Sequence, residues 1–142
     1  RVTLYMDFSL IIWWAVLVAA FAQVGVGMLW YGPVFGKLWM KYVGITPESM
    51  KSMPLTLWQA MIGGLLTAFV MATVLSYASL FFAAMTAMQA LLLAFWLWLG
   101  FVVTTQSGSF LWEGKPFGLL ILNAGYSLVV LSVMALILVL WR

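Results

Sequence analysis

The chain has 142 residues, of which 67% are hydrophobic and only 6% are charged, whereas about a quarter of the residues in an average soluble domain are charged. This composition excludes an ordinary soluble domain. The net charge is +3, but the cations are spread along the chain and form no basic stripe, which argues against nucleic acid as a partner. The chain has no Cys and no His, so disulfides, thiol nucleophiles and the usual zinc or haem ligands are excluded.

Four uncharged apolar runs follow one another, at residues 8–30, 55–77, 82–104 and 117–141. The shortest of them holds 23 residues, and at a rise of about 1.5 Å per residue it reaches roughly 34 Å, enough to cross a hydrocarbon core of about 30 Å. The sequence therefore predicts an all-α integral membrane protein with four transmembrane helices. We expect residues 1–142 to form a single domain.

The connection between the first two runs has a pattern of its own. Residues 33–43 place aromatic and aliphatic side chains on one helical face and Lys37 and Lys41 on the other, with Pro33 at the start and Gly44 at the end. This pattern predicts a short interfacial helix whose two lysines contact lipid headgroups. The second and third runs are joined by only a few residues, which predicts an antiparallel hairpin of neighbouring helices.

The distribution of Lys and Arg predicts the orientation. The first and third connections carry four cations and the two termini carry one each, so the positive-inside rule places both connections in the cytoplasm and both termini outside. We expect a multi-pass protein of the cell membrane, the bacterial inner membrane. The six cations are Lys37, Lys41, Lys51 and Lys115 in the connections and Arg1 and Arg142 at the termini.

Small residues recur at every fourth position of the first two runs. Such ridges allow close approach of helix backbones, which is how helices associate in lipid. Because four helices leave much surface facing lipid, we expect a homo-oligomer, although the ridges do not say whether their partner lies in the same chain. The packing residues are Gly27 in the first run, with Ala15 and Ala19, and Ala60, Gly64, Ala68, Ala72 and Ser76 in the second.

Polar and aromatic residues of three runs lie at one depth. Amides facing lipid would leave hydrogen-bonding groups unpaired at a cost of several kcal/mol, so we expect these side chains to point inward. They form either interhelical hydrogen bonds alone or a small polar pocket open to the cytoplasm. The pocket residues would be Gln23, Trp98, Asn123, Tyr126 and Ser127, with Trp30 and Tyr31 at the inner mouth.

The sequence offers no catalytic constellation. No nucleophile and base can be assembled from neighbouring residues, and none of the three acidic residues lies inside an apolar run. We therefore expect no enzyme, no catalytic residues, no metal and no cofactor.

Four segments carry a family resemblance. They are residues 30–40 (WYGPVFGKLWM), 98–101 (WLGF), 110–116 (FLWEGKP) and 123–126 (NAGY). In this order they resemble the bacterial and fungal membrane family catalogued as domain of unknown function 1761. The resemblance covers almost the whole chain and implies a small four-helix membrane protein, without implying an activity, a substrate or a catalytic residue.

Two hypotheses about function follow. In the first, an oligomer of this bundle binds or passes a small uncharged or weakly polar solute through the layer of polar residues. In the second, the protein is a non-transporting membrane scaffold or accessory subunit. Its polar groups then only fasten helices, and its interfacial helix contacts lipid or a partner protein.

Overall fold

Four long helices dominate the computed structural model, which describes residues 8–46, 48 and 57–141. The helices are long and apolar enough to cross a membrane: the first span is Trp13–Val34, the second Trp58–Phe81, the third Ala87–Leu111 and the fourth Phe117–Leu140. A short turn of 3-10 helix, Phe8–Leu10, precedes them, and the helix Gly36–Val43 follows the first span. The predicted fold class, all-α with four transmembrane helices and a short helix between the first and second, is confirmed.

The first span extends past its predicted end because its last turn is a π-helix, Trp30–Val34, which contains Pro33. Proline has no N–H to donate to the carbonyl four residues earlier. The hydrogen bond that closes this turn joins residues five apart, since Phe35 N donates to Trp30 O at 2.9 Å. The short helix therefore begins at Gly36 rather than at Pro33. It ends as predicted at Gly44, which has a φ of 79°.

Gly36 begins the short helix and lies directly against the backbone of the π-helical turn that ends the first span. A Cβ at this position would lie 2.7 Å from Tyr31 O, a separation that backbone atoms cannot relieve easily. The direction of the short helix thus depends on glycine at residue 36.

The third span also differs from its predicted bounds, since it begins at Ala87 and continues to Leu111. Its start is fixed by a capping box, in which Gln89 N donates to Thr86 Oγ1 and the Gln89 side chain accepts from the Thr86 backbone N–H. Its middle holds a second π-helical segment, Trp98–Val103. The hydroxyls of Thr104 and Thr105 donate to the carbonyls of Gly100 and Phe101 at 2.8 and 2.6 Å. These bonds satisfy carbonyls of that segment inside an apolar environment.

The fourth span is the centre of the bundle, because it packs against each of the other three, and the first span packs in addition against the second. Met134 of the fourth span is fully buried. Pairs of alanines four residues apart bring the other helices close. These buried pairs are Ala15 and Ala19, Ala68 and Ala72, and Ala90 and Ala94.

The prediction that the second and third spans are neighbours is wrong. In the described part of the chain they form no closely packed pair, and an apolar groove of about 600 Å³ separates them, with Val70 on one side, Leu97 on the other and Leu131 of the fourth span between. A short connection brings the ends of two helices together but does not determine where their middles lie. Here both helices pack against the fourth span instead.

Candidate functional site

The polar contacts of the bundle converge on one stretch of the fourth span, residues 123–127. Four side chains outside the fourth span, on the first and third spans, meet this stretch through hydrogen bonds or ring contacts. They are Trp30, Tyr31, Trp98 and Gln106. Asn123, Tyr126 and Ser127 share one helical face because they are three and four residues apart, which is why one segment can serve several partners.

Tyr31 joins the first span to Asn123. Its hydroxyl donates to Asn123 Oδ1 at 2.7 Å, and its ring makes edge contacts with Tyr126 and with Trp39 of the short helix, at centroid distances of 5.0 and 5.6 Å. The two polar groups thereby satisfy one another, and the ring of Tyr31 connects the short helix to the fourth span.

Tyr126 joins the fourth span to Gln23. Its hydroxyl donates to the backbone carbonyl of Gln23 at 3.3 Å and lies 2.9 Å from the position that a Cβ of residue 27 would occupy. Glycine at residue 27 is therefore what gives the phenol room against the first span. Gly27, selected from the sequence as a packing residue, lies at this contact.

The two π-helical segments each begin with a tryptophan that packs on the fourth span. Trp98 Nε1 donates to Ala124 O at 2.7 Å, and the ring of Trp30 lies 3.4 Å from the position of a Cβ on Gly125. Adjacent residues of the fourth span thus receive one tryptophan from the third span and one from the first. A π-helical turn shifts the direction of the following side chains, and such turns often occur at functional sites.

Gln106 belongs to the same cluster and was missed in the sequence. Its Nε2 donates to Ser127 Oγ at 3.2 Å, and Ser127 Oγ donates to Asn123 O at 3.0 Å. The sequence prediction ended the third span at residue 104 and took the polar segment that follows as a connection. The pair Thr104 and Thr105 is the sequence feature that indicates a continuing helix. Threonine hydroxyls can bond to carbonyls of the preceding turn, so threonines can remain within a membrane helix.

Three buried polar atoms of this region have no hydrogen-bond partner among the described residues: Gln23 Oε1, Trp30 Nε1 and Gln106 Oε1. Two of them are acceptors and one is a donor. Buried polar groups in proteins are nearly always paired, with protein atoms or with water. A molecule that enters the cluster can therefore donate to either of the two oxygens or accept from Trp30 Nε1.

A polar pocket of about 410 Å³ lies between the end of the third span and the beginning of the fourth. Asn123 lines it, so the pocket touches the polar cluster, while Gln23, Trp98, Tyr126 and Ser127 do not line it. Trp30 and Tyr31, predicted as an inner mouth, lie on the first-span side of Asn123 and also do not line it. The residues that complete the lining are Thr105, Gln106, Gly108, Ser109, Trp112, Glu113 and Leu120.

The remaining predicted residues lie away from the cluster. Ala68, Ala72 and Ser76 of the second span are buried, whereas Ala60 and Gly64 are exposed. Lys37 and Lys41 are exposed on the short helix; Arg1, Lys51 and Arg142 lie outside the described residues. In the part of the chain that the structure describes, no three His, Cys, Asp or Glu residues come together as a metal site.

Comparison with known proteins gives one family. A family model described as "Protein of unknown function (DUF1761)" matches residues 14–139, a range that contains all four spans except their outermost residues Trp13 and Leu140. No curated protein and no solved structure matches the chain. The resemblance found in the sequence motifs is thereby confirmed.

Proposed function

We propose that this chain, which belongs to the DUF1761 family of proteins of unknown function, binds or passes a small uncharged or weakly polar solute. The site is the polar cluster at which its first, third and fourth spans meet.

The observation that carries this proposal is the pair of unpartnered atoms on the first span. Gln23 Oε1 and Trp30 Nε1 are both buried, and their residues lie seven positions, or about two helical turns, apart on one face. One accepts and the other donates, so a solute with both a donor and an acceptor can bond to either atom as it moves along the first span. Inside a bilayer an unmet polar group costs more than in water, which favours occupancy of this region by a polar molecule.

The charge of the spans favours a neutral solute. None of the four described spans contains Asp, Glu, Lys or Arg. A charged solute in the middle of the bundle would find no countercharge there, and moving a charge to the centre of a bilayer is costly. The pocket that touches Asn123 supplies an approach for a molecule of a few heavy atoms.

We further propose the setting in which this function operates. The protein lies in the bacterial inner membrane as a homo-oligomer with both termini outside. The exposed small residues Ala60 and Gly64 offer close approach to a second copy. Lys37 and Lys41 contact anionic headgroups, because two exposed lysines four residues apart lie on one face of the short helix.

A second candidate function is a non-catalytic scaffold or accessory subunit that contacts lipid or a partner protein. It is favoured by the hydrogen bonds of Tyr31, Trp98 and Tyr126, which already use much of the polar capacity of the cluster to fasten helices. In either role we propose that the protein is not an enzyme.

Permeation into proteoliposomes separates the two functions. We expect vesicles containing the protein to take up small neutral solutes, such as urea, glycerol and acetamide, faster than protein-free vesicles, as measured by stopped-flow light scattering. Gln23→Leu should reduce this uptake, because it removes the acceptor at similar volume. Thr67→Val is the matched control, since the Thr67 hydroxyl bonds within its own helix to Gly64 O at 2.9 Å and lies outside the cluster.

Equal uptake with and without protein, for every solute tested, would contradict passage. Uptake that Gln23→Leu and Thr67→Val reduce to the same extent would contradict the assignment to the polar cluster. The first outcome would favour the scaffold; the second would mean that the solute passes elsewhere in the protein.

A further inference from the structure

We infer that the polar pocket at the end of the third span binds a primary ammonium group, supplied by a free small amine or by the headgroup of phosphatidylethanolamine. This site is separate from the pair of atoms on which the solute proposal rests. The inference depends on which donors and acceptors of the lining side chains are not already used in hydrogen bonds within the protein.

The two hydroxyls of the pocket already use their protons. Thr105 Oγ1 donates to Phe101 O at 2.6 Å, and Ser109 Oγ donates to Gln106 O at 2.9 Å. A hydroxyl has one proton and two lone pairs. Both oxygens can therefore serve a pocket ligand only as acceptors.

The side chain of Gln106 also has an acceptor that is not used. Its Nε2 donates to Ser127 Oγ at 3.2 Å, whereas its Oε1 is buried without a partner. The oxygen of this amide is again an acceptor without a partner. Three neutral oxygens, on residues of the third span that line the pocket, thus have acceptor capacity left over.

Glu113 adds the negative charge. It is the one charged residue among those that line the pocket, and no described Lys or Arg lines it. A carboxylate together with several neutral acceptors suits a cation that carries N–H donors, because charge-assisted hydrogen bonds are the strongest available. Trp112, which also lines the pocket, offers an aromatic ring of the kind that attracts cations.

Asn123 differs from the other lining residues because it can donate to a ligand, and this further restricts the chemistry of the ligand. Its Oδ1 already accepts from Tyr31, and its Nδ2 carries two N–H groups that can donate to a ligand. One donor beside several acceptors suits a ligand with an oxygen close to its ammonium group. Ethanolamine and its phospholipid have this arrangement, and the pocket lies at the ends of two spans, where headgroups are found.

Binding of ethanolamine to the full chain tests the inference. The protein is reconstituted in nanodiscs of phosphatidylcholine alone, and ethanolamine and choline are titrated by isothermal calorimetry. Ethanolamine should bind and choline should bind at least about tenfold more weakly, because its methylated nitrogen has no N–H to donate.

Two carboxylate variants locate the site. Glu113→Gln should weaken ethanolamine binding by about tenfold or more, while Glu48→Gln should leave it unchanged, since Glu48 is an exposed carboxylate that does not line the pocket. Gln23→Leu should also leave ethanolamine binding unchanged. Ethanolamine binding by the wild-type protein, together with solute uptake no faster than in protein-free vesicles, would thus refute the proposed function alone.

A second experiment, in which the lipid of the nanodiscs is changed, distinguishes the two sources of the ammonium group. If the headgroup is the natural ligand, phosphatidylethanolamine added to the nanodiscs suppresses binding of free ethanolamine, and mass spectrometry finds this lipid enriched on the wild-type protein but not on Glu113→Gln. If a free amine is the ligand, binding persists in its presence. Equal binding of choline and ethanolamine, competition by potassium at the same concentration, or no binding in either arm would overturn the inference.

Discussion

Replacement of Gly27 by alanine tests the contact between the first and fourth spans most sharply. The added Cβ would lie 2.9 Å from Tyr126 Oη, 3.5 Å from Cζ and 3.6 Å from Cε1. Only the hydroxyl is closer than an ordinary van der Waals contact. The phenol cannot swing away freely, because its ring contacts Tyr31 and Trp30 at centroid distances of 5.0 and 6.3 Å.

Two effects of opposite sign determine how much Gly27→Ala changes the free energy of unfolding. Overpacking costs about 1–3 kcal/mol, and alanine is about 1 kcal/mol more favourable than glycine within a helix. We therefore expect Gly27→Ala to lower the free energy of unfolding by about 1 kcal/mol in the wild-type background. In a Tyr126→Phe background the nearest atom is Cζ at an ordinary distance, so the same substitution should be neutral or stabilising by up to about 1 kcal/mol.

A double-mutant cycle measures this difference. Unfolding in mixed detergent micelles with increasing dodecyl sulfate, followed by far-UV circular dichroism, gives the free energy for each variant. The predicted coupling between residues 27 and 126 is about 1–2 kcal/mol. Gly25→Ala is the matched control, because a Cβ there meets no atom within 4 Å. A cost of Gly27→Ala that is the same with Tyr126 and with Phe at that position would refute the reasoning.

Two further predictions concern other contacts of the fourth span. Trp98→Phe removes the hydrogen bond to Ala124 O and should cost about 0.6–2 kcal/mol in the same unfolding assay; an unchanged unfolding curve would contradict a role for the indole N–H. Gly118→Ala should loosen the short helix, since a Cβ there would lie 2.5 Å from Tyr42 Cζ. Limited digestion with trypsin should then cleave after Lys41 faster than in the wild type, and equal rates would show that Tyr42 does not hold this helix in place.

Much of the fold was accessible from the sequence because the spans are long, uncharged and apolar. The gathering of Asn123, Tyr126 and Gln23 was accessible for a related reason: amides and phenols inside lipid must find partners, and only neighbouring helices can supply them. The hydrogen bond between Tyr31 and Asn123 follows the same rule. Its specific pairing depends on the π-helical turn at Pro33, which sequence periodicity did not reveal.

Other features could not be predicted because they depend on how helices are arranged around one another. The fourth span packs against each of the other three, and the buried alanines Ala90 and Ala94 of the third span are not among the packing residues predicted from the sequence. Gln106 was overlooked since a polar segment after an apolar run resembles a connection. Its inclusion in a helix depends on Thr105, whose hydroxyl bonds to the carbonyl of Phe101.

The central claim is that the polar cluster admits a polar molecule instead of serving only to fasten helices, and cysteine accessibility at Asn123 tests it most directly. The chain has no cysteine of its own, so Asn123→Cys can be compared with exposed Thr46→Cys and with Val70→Cys, at a residue that is 61% exposed and lines the apolar groove between the second and third spans. A membrane-impermeant thiol reagent requires water to react. The account predicts labelling at residues 46 and 123 and none at residue 70; labelling at residue 46 alone would contradict it.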